Sequence, residues 1–144
     1  MRVPKKIEQN VHCAFARFCD AYGRIWNIVQ TAKTQDEIDL VKHEAGHCPA
    51  GRLVVWDKKT KKVFEPSFDP SIGIIEDPGI KVSGPIWVKG GIRVESADGS
   101  SYEIRNRVTL CRCGQSSNKP FCDGTHASMH FRDNLPLEAG KEEW

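Results

Sequence analysis

Four residues in the last third of the chain constrain it most: Cys111, Cys113, Cys122 and His126, within the stretch CRCGQSSNKPFCDGTH. The spacing is Cys-x-Cys, eight residues, Cys, three residues, His. Soft or borderline ligands so close in sequence can converge with little loss of chain entropy. Gly114, Asn118, Pro120 and Gly124 permit the tight turns that convergence needs. Thiolate or sulfide charge needs N–H donors nearby, and Asp123-Gly124-Thr125 offers them at a predicted helix start. Spacing alone leaves the metal open, because three thiolates and one imidazole also satisfy tetrahedral zinc.

The other three cysteines, Cys13, Cys19 and Cys48, lie in the first third. Six cysteines could form three disulfides in a secreted chain. The opening MRVPKKIEQN, however, lacks the apolar stretch of a signal peptide, and no window reaches the length of a membrane span. The expectation is a cytoplasmic protein with reduced thiols, where clustered cysteines bind metal more often than they pair. With 144 residues and a 39% apolar fraction, the chain suits one domain or two very small lobes, whose thin cores a metal would staple. The net charge of +2 gives no nucleic-acid signal. The basic run Lys58, Lys59, Lys61 and Lys62 reads as a solvated turn, since a nucleic-acid patch needs more basic residues and interleaved aromatics.

Between the cysteine groups runs EPSFDPSIGIIEDPGIKVSGP, whose prolines at 66, 70, 78 and 85 read as an extended, turn-broken linker. The expected division is residues 1–62, a linker at 63–84, and residues 85–144. Residues 34–46 read as a helix, with Thr34 and Glu37 spaced as a capping box and Ile38, Val41 and Ala45 along one face. Arg52–Asp57, Ile86–Val94 and Ser101–Leu110 read as strands, with Gly90 and Gly91 marking a bulge and Ala97-Asp98-Gly99-Ser100 a hairpin turn. The tail from Asn134 onward is charged and reads as partly frayed.

The C-terminal stretch resembles the CDGSH iron–sulfur family, related to mitoNEET. The positions that carry the likeness are Cys111, Cys113, Ser116, Pro120, Cys122, Asp123, Gly124, Thr125 and His126, with Thr125 where the family name has Ser. The resemblance implies a 2Fe–2S cluster, one iron on Cys111 and Cys113 and the other on Cys122 and His126. A neutral imidazole in place of a thiolate implies a higher potential than in an all-Cys ferredoxin, and an iron that acid loosens. Members with a single motif form dimers through swapped strands, so a homodimer is one expectation. An N-terminal lobe that covers those strands is the other. His130, four residues after His126, reads as a surface histidine, or one that supports the ligands from behind, rather than as a ligand.

The N-terminal segment resembles the divergent mono-cluster ferredoxin domain. Its scheme of Cys-x-x-Cys-x-x-Cys with a distant Cys-Pro is met by Cys13, Cys19 and Cys48-Pro49, with Ala16 at the middle cysteine position. The likeness implies a second Fe–S site on Cys13, Cys19 and Cys48, holding a 3Fe–4S cluster or a 4Fe–4S cluster whose fourth iron takes water, His12 or His47. Zinc, or three buried cysteines packed as small hydrophobes, are the alternatives.

The expected fold class is therefore α+β, a small ferredoxin-like lobe followed by a β-rich lobe. The expected function is electron transfer or cluster transfer to a redox or cluster-acceptor protein, without nucleic acid or membrane. A zinc-stapled binding module is the competing reading. Catalysis is not expected, since the sequence offers no nucleophile–base pair and no phosphate loop.

Overall fold

A computed structural model describes residues 8–9, 13–20 and 25–136. His12 and the end of the tail, residues 137–144, lie outside the described residues. The architecture mixes helices and strands, so the α+β class holds. In chain order the elements are β1 (Glu8–Gln9), a 3-10 turn (Phe18–Asp20), α1 (Ile25–Thr31), α2 (Gln35–Gly46), β2 (Leu53–Val54), β3 (Ser71–Asp77), β4 (Val82–Lys89), β5 (Arg107–Leu110) and α3 (Thr125–Ser128).

Helix α2 forms where the sequence puts it. The Thr34 hydroxyl accepts from the Glu37 N–H (3.2 Å) and the Glu37 carboxylate accepts from the Thr34 N–H (3.0 Å), completing the capping box. Its inward face carries Ile38, Val41 and Ala45. Val41 and Ala45 join Ile25, Leu53 and Val55 in the N-terminal core, against which Cys19, Cys48, Trp26 and Phe64 also pack. The strand expected over Arg52–Asp57 is short. Leu53 and Val54 pair antiparallel with β1, and Trp56 bridges to Val63.

The second half is an antiparallel sheet of order β3-β4-β5. This corrects the reading of 63–84 as a linker. Residues 71–77 are a strand, and β4 begins at Val82 rather than Ile86. The prolines there are boundary markers, not breakers. Pro70 precedes β3, Pro78 follows it, and Pro85 sits where the β3–β4 register shifts between Ile74 and Glu76. Proline is tolerated at such an irregularity because no ladder hydrogen bond is demanded of it.

At the other end, β4 stops at Lys89 and the two glycines close it instead of forming a bulge. Gly90 has φ +85°, and a Cβ there would lie 2.6 Å from the Pro70 nitrogen. The strand expected over Ser101–Leu110 shrinks to Arg107–Leu110, the part that faces β4 from Lys89 to Ile86. The 97–100 turn does form, with Glu95 bridging Ser101 and the Ser96 N–H donating to Ser100 O (2.9 Å).

The two halves are stitched together. Arg107 of β5 is 3% exposed. It donates to the carbonyls of Ala45 (2.6 Å), Cys48 (3.0 Å) and Leu53 (3.0 Å) and to both carboxylate oxygens of Glu65. Phe18 meets the buried Trp87 of β4 edge-on at 5.5 Å. Trp87 is thus a core residue at the seam.

Candidate metal centre

Strand β5 delivers the first two ligand candidates. Leu110 bridges to Phe121, Cys111 N–H donates to Pro120 O (2.8 Å) and Cys122 N–H to Thr109 O (3.1 Å), so residues 109–111 run beside 120–122. The loop between them is drawn tight by its own polar groups. Ser116 Oγ donates to Phe121 O (2.6 Å) and accepts from the Asn118 N–H (3.1 Å). Asp123 accepts from the N–H groups of Ser117 (2.9 Å) and Thr125 (3.0 Å) and from the Thr125 hydroxyl (2.6 Å). These bonds hold the Asp123 carboxyl down at about 2, the Thr125 hydroxyl and the Ser117 N–H being the main causes.

The four C-terminal residues fall into two pairs. Cys111 and Cys113 sulfurs are 3.9 Å apart. The Cys122 sulfur is 3.4 Å from His126 Nδ1. Among the described residues, no three His, Cys, Asp or Glu side chains converge on a single ion-sized point. Three thiols and one imidazole are donors that suit iron or zinc. Cys111 and Cys113 are half-buried, whereas Cys122 (5% exposed) and His126 (3% exposed) are buried.

Burial shapes their protonation. It pushes the Cys122 thiol up to about 11, with the Gly124 N–H opposing and the charges of Cys111, Cys113 and Asp123 adding to the rise. Burial also raises Cys111, but the N–H groups of Ser116 and Gly114 outweigh it and bring that thiol below its ordinary value. Cys113 goes up, by burial first and then by its neighbour Cys111, despite the Gln115 N–H at 3.5 Å. His126 is held below the ordinary imidazole value, chiefly by burial. Asp77 and Asp123 oppose that shift and Arg112 adds to it. Neutral imidazole is the form that ligates metal, and loading the thiols must release protons.

Arg112 lies between the two cysteines and leaves the opposite face. It donates to Gly84 O (2.8 Å), to Glu76 (3.2 Å) and to Asp133. It thereby ties the ligand loop to β4, β3 and the segment after α3. Sequence reasoning passed over it, although alternation alone sends the middle residue of Cys-x-Cys away from its neighbours. His130 does not join the centre. Helix α3 ends at Ser128, and His130 is exposed with φ +54°.

The N-terminal candidates face a common space without converging on one ion-sized point. Cys13, Cys19 and Cys48 all line one cavity of about 440 Å³, with Phe15, Phe18, Trp26 and Leu53 among its other walls. The Cys48-Pro49 turn is fixed by Gly51 N–H donating to Cys48 O (2.9 Å) and by Arg107. His47 lies outside the cavity lining, its Nδ1 against the His43 carbonyl at 2.8 Å. All six cysteines are free thiols.

The two sites share a wall. Ala14, Ala50 and Cys122 form one buried cluster against which Cys48 packs, and the Cys122 sulfur points at Ala14 O (3.7 Å). Nothing in the sequence signals this meeting of residues 108 positions apart.

Among the described residues, no helix is long and apolar enough to cross a membrane. No curated protein and no solved structure matches the chain. Residues 83–127 match the family model described as iron-binding zinc finger, CDGSH type. Across that span, which includes Cys111, Cys113, Cys122 and His126, the chain carries an iron-binding domain of the CDGSH type.

Proposed function

We propose that Cys111, Cys113, Cys122 and His126 hold a 2Fe–2S cluster, and that the protein passes electrons, or the cluster itself, to a protein acceptor rather than transforming a small substrate. The observation that carries this reading is the pairing of the ligands, 3.9 Å within one pair and 3.4 Å within the other. A single zinc ion needs all four donors around one point. When bound, the cluster supplies a one-electron centre whose potential the imidazole ligand raises. The residues supply the rest: burial favours the neutral form of His126, and the N–H groups of Gly114, Ser116, Gln115 and Gly124 face sulfur.

Iron, zinc and acid-labile sulfide analysis of freshly purified protein, with its visible spectrum, tests the proposal. Iron and sulfide in equal amounts with visible absorption are expected, and both should fall away in Cys122→Ser. A colourless protein with one zinc per chain overturns it.

The cavity shared by Cys13, Cys19 and Cys48 supports a second Fe–S centre, of the 3Fe–4S or 4Fe–4S type, in a ferredoxin-like N-terminal lobe. The same iron count decides it. Two irons per chain leave the cavity without a cluster, and five or six fill it. Six free thiols support a reducing, cytoplasmic setting. A homodimer along β3 is supported by that strand's place at the sheet edge and by Ile72 there, 68% exposed. Light scattering of the purified protein tests it.

A further inference from the structure

The buried half of the C-terminal ligand set is not buried by its own loop alone. The N-terminal segment 14–17 lies across it. Ala14 is buried, and its carbonyl faces the Cys122 sulfur at 3.7 Å. Phe15 sits over Gly124, where an added Cβ would come within 3.0 Å of the Phe15 Cβ. Gly124 itself has φ +90°, so the residue after Asp123 must be glycine both for its backbone and for the segment above it.

This segment is held rather than relaxed. Phe15 (φ +49°) and Arg17 (φ +63°) both occupy the left-handed region without being glycine. Such residues persist only where surrounding contacts over-determine them. The contact here is a two-pronged ion pair from Arg17 to Asp77 at the end of β3, Nε to Oδ2 at 2.7 Å and Nη2 to Oδ1 at 2.6 Å. Asp77 is fixed in turn by the N–H groups of Gly79 (3.1 Å) and Ile80 (3.4 Å). A Cβ at Gly79 would lie 2.5 Å from Arg17 Nη2, so the missing side chain leaves room for the guanidinium. The pair fastens the segment whose Ala14 carbonyl faces Cys122 and whose Phe15 lies over Gly124, two residues before His126.

We propose that residues 14–17 are a latched cover over Cys122 and His126, with the Arg17–Asp77 ion pair as the latch, and that this cover sets how fast metal leaves that half of the site. Arg17 and Asp77 are positioning residues: they act through the segment they fasten. The release half of the proposal rests on the ligand reading above, while the cover itself does not.

The test compares wild type, Arg17→Ala and Arg17→Lys in two measurements on the full chain. The first is the alkylation rate of each cysteine in metal-free protein, read by mass spectrometry. In Arg17→Ala, Cys122 should react about tenfold faster while Cys111 and Cys113, at the other end of the loop, keep their rates. Arg17→Lys should restore part of the protection. The second is decay of the visible absorption of loaded protein under excess EDTA, which should quicken several-fold in Arg17→Ala. Thermal midpoints of the same samples separate a local opening from a general loss of fold.

An unchanged Cys122 rate overturns the cover, as does an equal rise at all three cysteines. Faster alkylation with unchanged EDTA decay overturns its control of release. If the metal-free wild type does not fold, the EDTA measurement alone decides. Wild type that purifies without iron would instead remove the ligand reading, and the alkylation rates would still decide the cover.

Discussion

Arg107 on β5 donates a 3.0 Å hydrogen bond to the carbonyl of Cys48, so the strand that leads into one cysteine pair also fixes the turn that carries a cysteine of the other site. Its guanidinium is shared among three N-terminal carbonyls and Glu65. Removing it takes a charged donor from each of those carbonyls and from the Glu65 carboxylate. Arg107→Ala should cost about 3–5 kcal/mol, the range for breaking a buried charge network. Arg107→Lys should recover only part of that, since an ammonium cannot reproduce the planar fork. Urea denaturation of the metal-free protein measures both.

The cap of α2 gives a smaller and more local effect. Thr34→Ala removes the acceptor for the Glu37 N–H. It should cost about 1 kcal/mol by the same denaturation measurement. Metal content should not change, because no residue of α2 lines the cavity, whose Cys48 lies two residues past the helix.

Asp123 should matter more to the ligand loop than to the fold. Its carboxylate gathers Ser117 and Thr125 on either side of Cys122. Asp123→Ala should cost on the order of 1 kcal/mol, as expected for hydrogen bonds to a largely exposed charge. It should also speed loss of the visible chromophore under EDTA. Because the carboxyl titrates at about 2 when folded, against an ordinary value of 3.8, this support is complete above about pH 4. It fades as pH falls toward 2.

Glu76 should give a pH signature of opposite sign. Burial first, and its hydrogen bond with Asp133 second, raise its carboxyl above the ordinary value, and Ser83 and Arg112 only partly offset this. Between the ordinary and the raised value the folded state binds more protons than the unfolded one, so stability falls as pH rises through that window. In Glu76→Gln this slope should vanish. Plotting the thermal midpoint of wild type minus that of Glu76→Gln against pH, from about 4 upward, should give a declining line. A rising line would show that the carboxylate, not the acid, is the form the fold prefers.

Local features were the legible ones. The Thr34–Glu37 box and the Ile38–Val41–Ala45 stripe lie within one helix, so their geometry follows from short spacings alone. Short spacing also made Cys111, Cys113, Cys122 and His126 legible as one ligand cluster, but their division into two pairs came only from the family resemblance. Strand β3 was missed because Pro70 and Pro78 were weighed as breakers, when the isoleucines between them needed only a partner strand. Ser101–Leu110 was overextended because alternation continues past the point where β4 offers a partner. The long-range pairs, Arg17 with Asp77 and Arg107 with Cys48, left no local trace. An arginine inside the short strand Arg107–Leu110 was the nearest thing to a hint, since a charge there must find a buried acceptor.

The five residues between Cys13 and Cys19 line the cavity, and four of them, 14–17, form the proposed cover, the roof over Cys122. Any ligand that ties Cys13 to Cys19 reduces the freedom of the chain between them and so favours the closed roof. By thermodynamic reciprocity, a ligand that keeps the roof closed from below must raise the cavity's affinity by the same factor. With the cover as proposed and a ligand in the cavity, the two sites would share a single binding equilibrium, even though Cys13 and Cys122 stand more than a hundred residues apart along the chain.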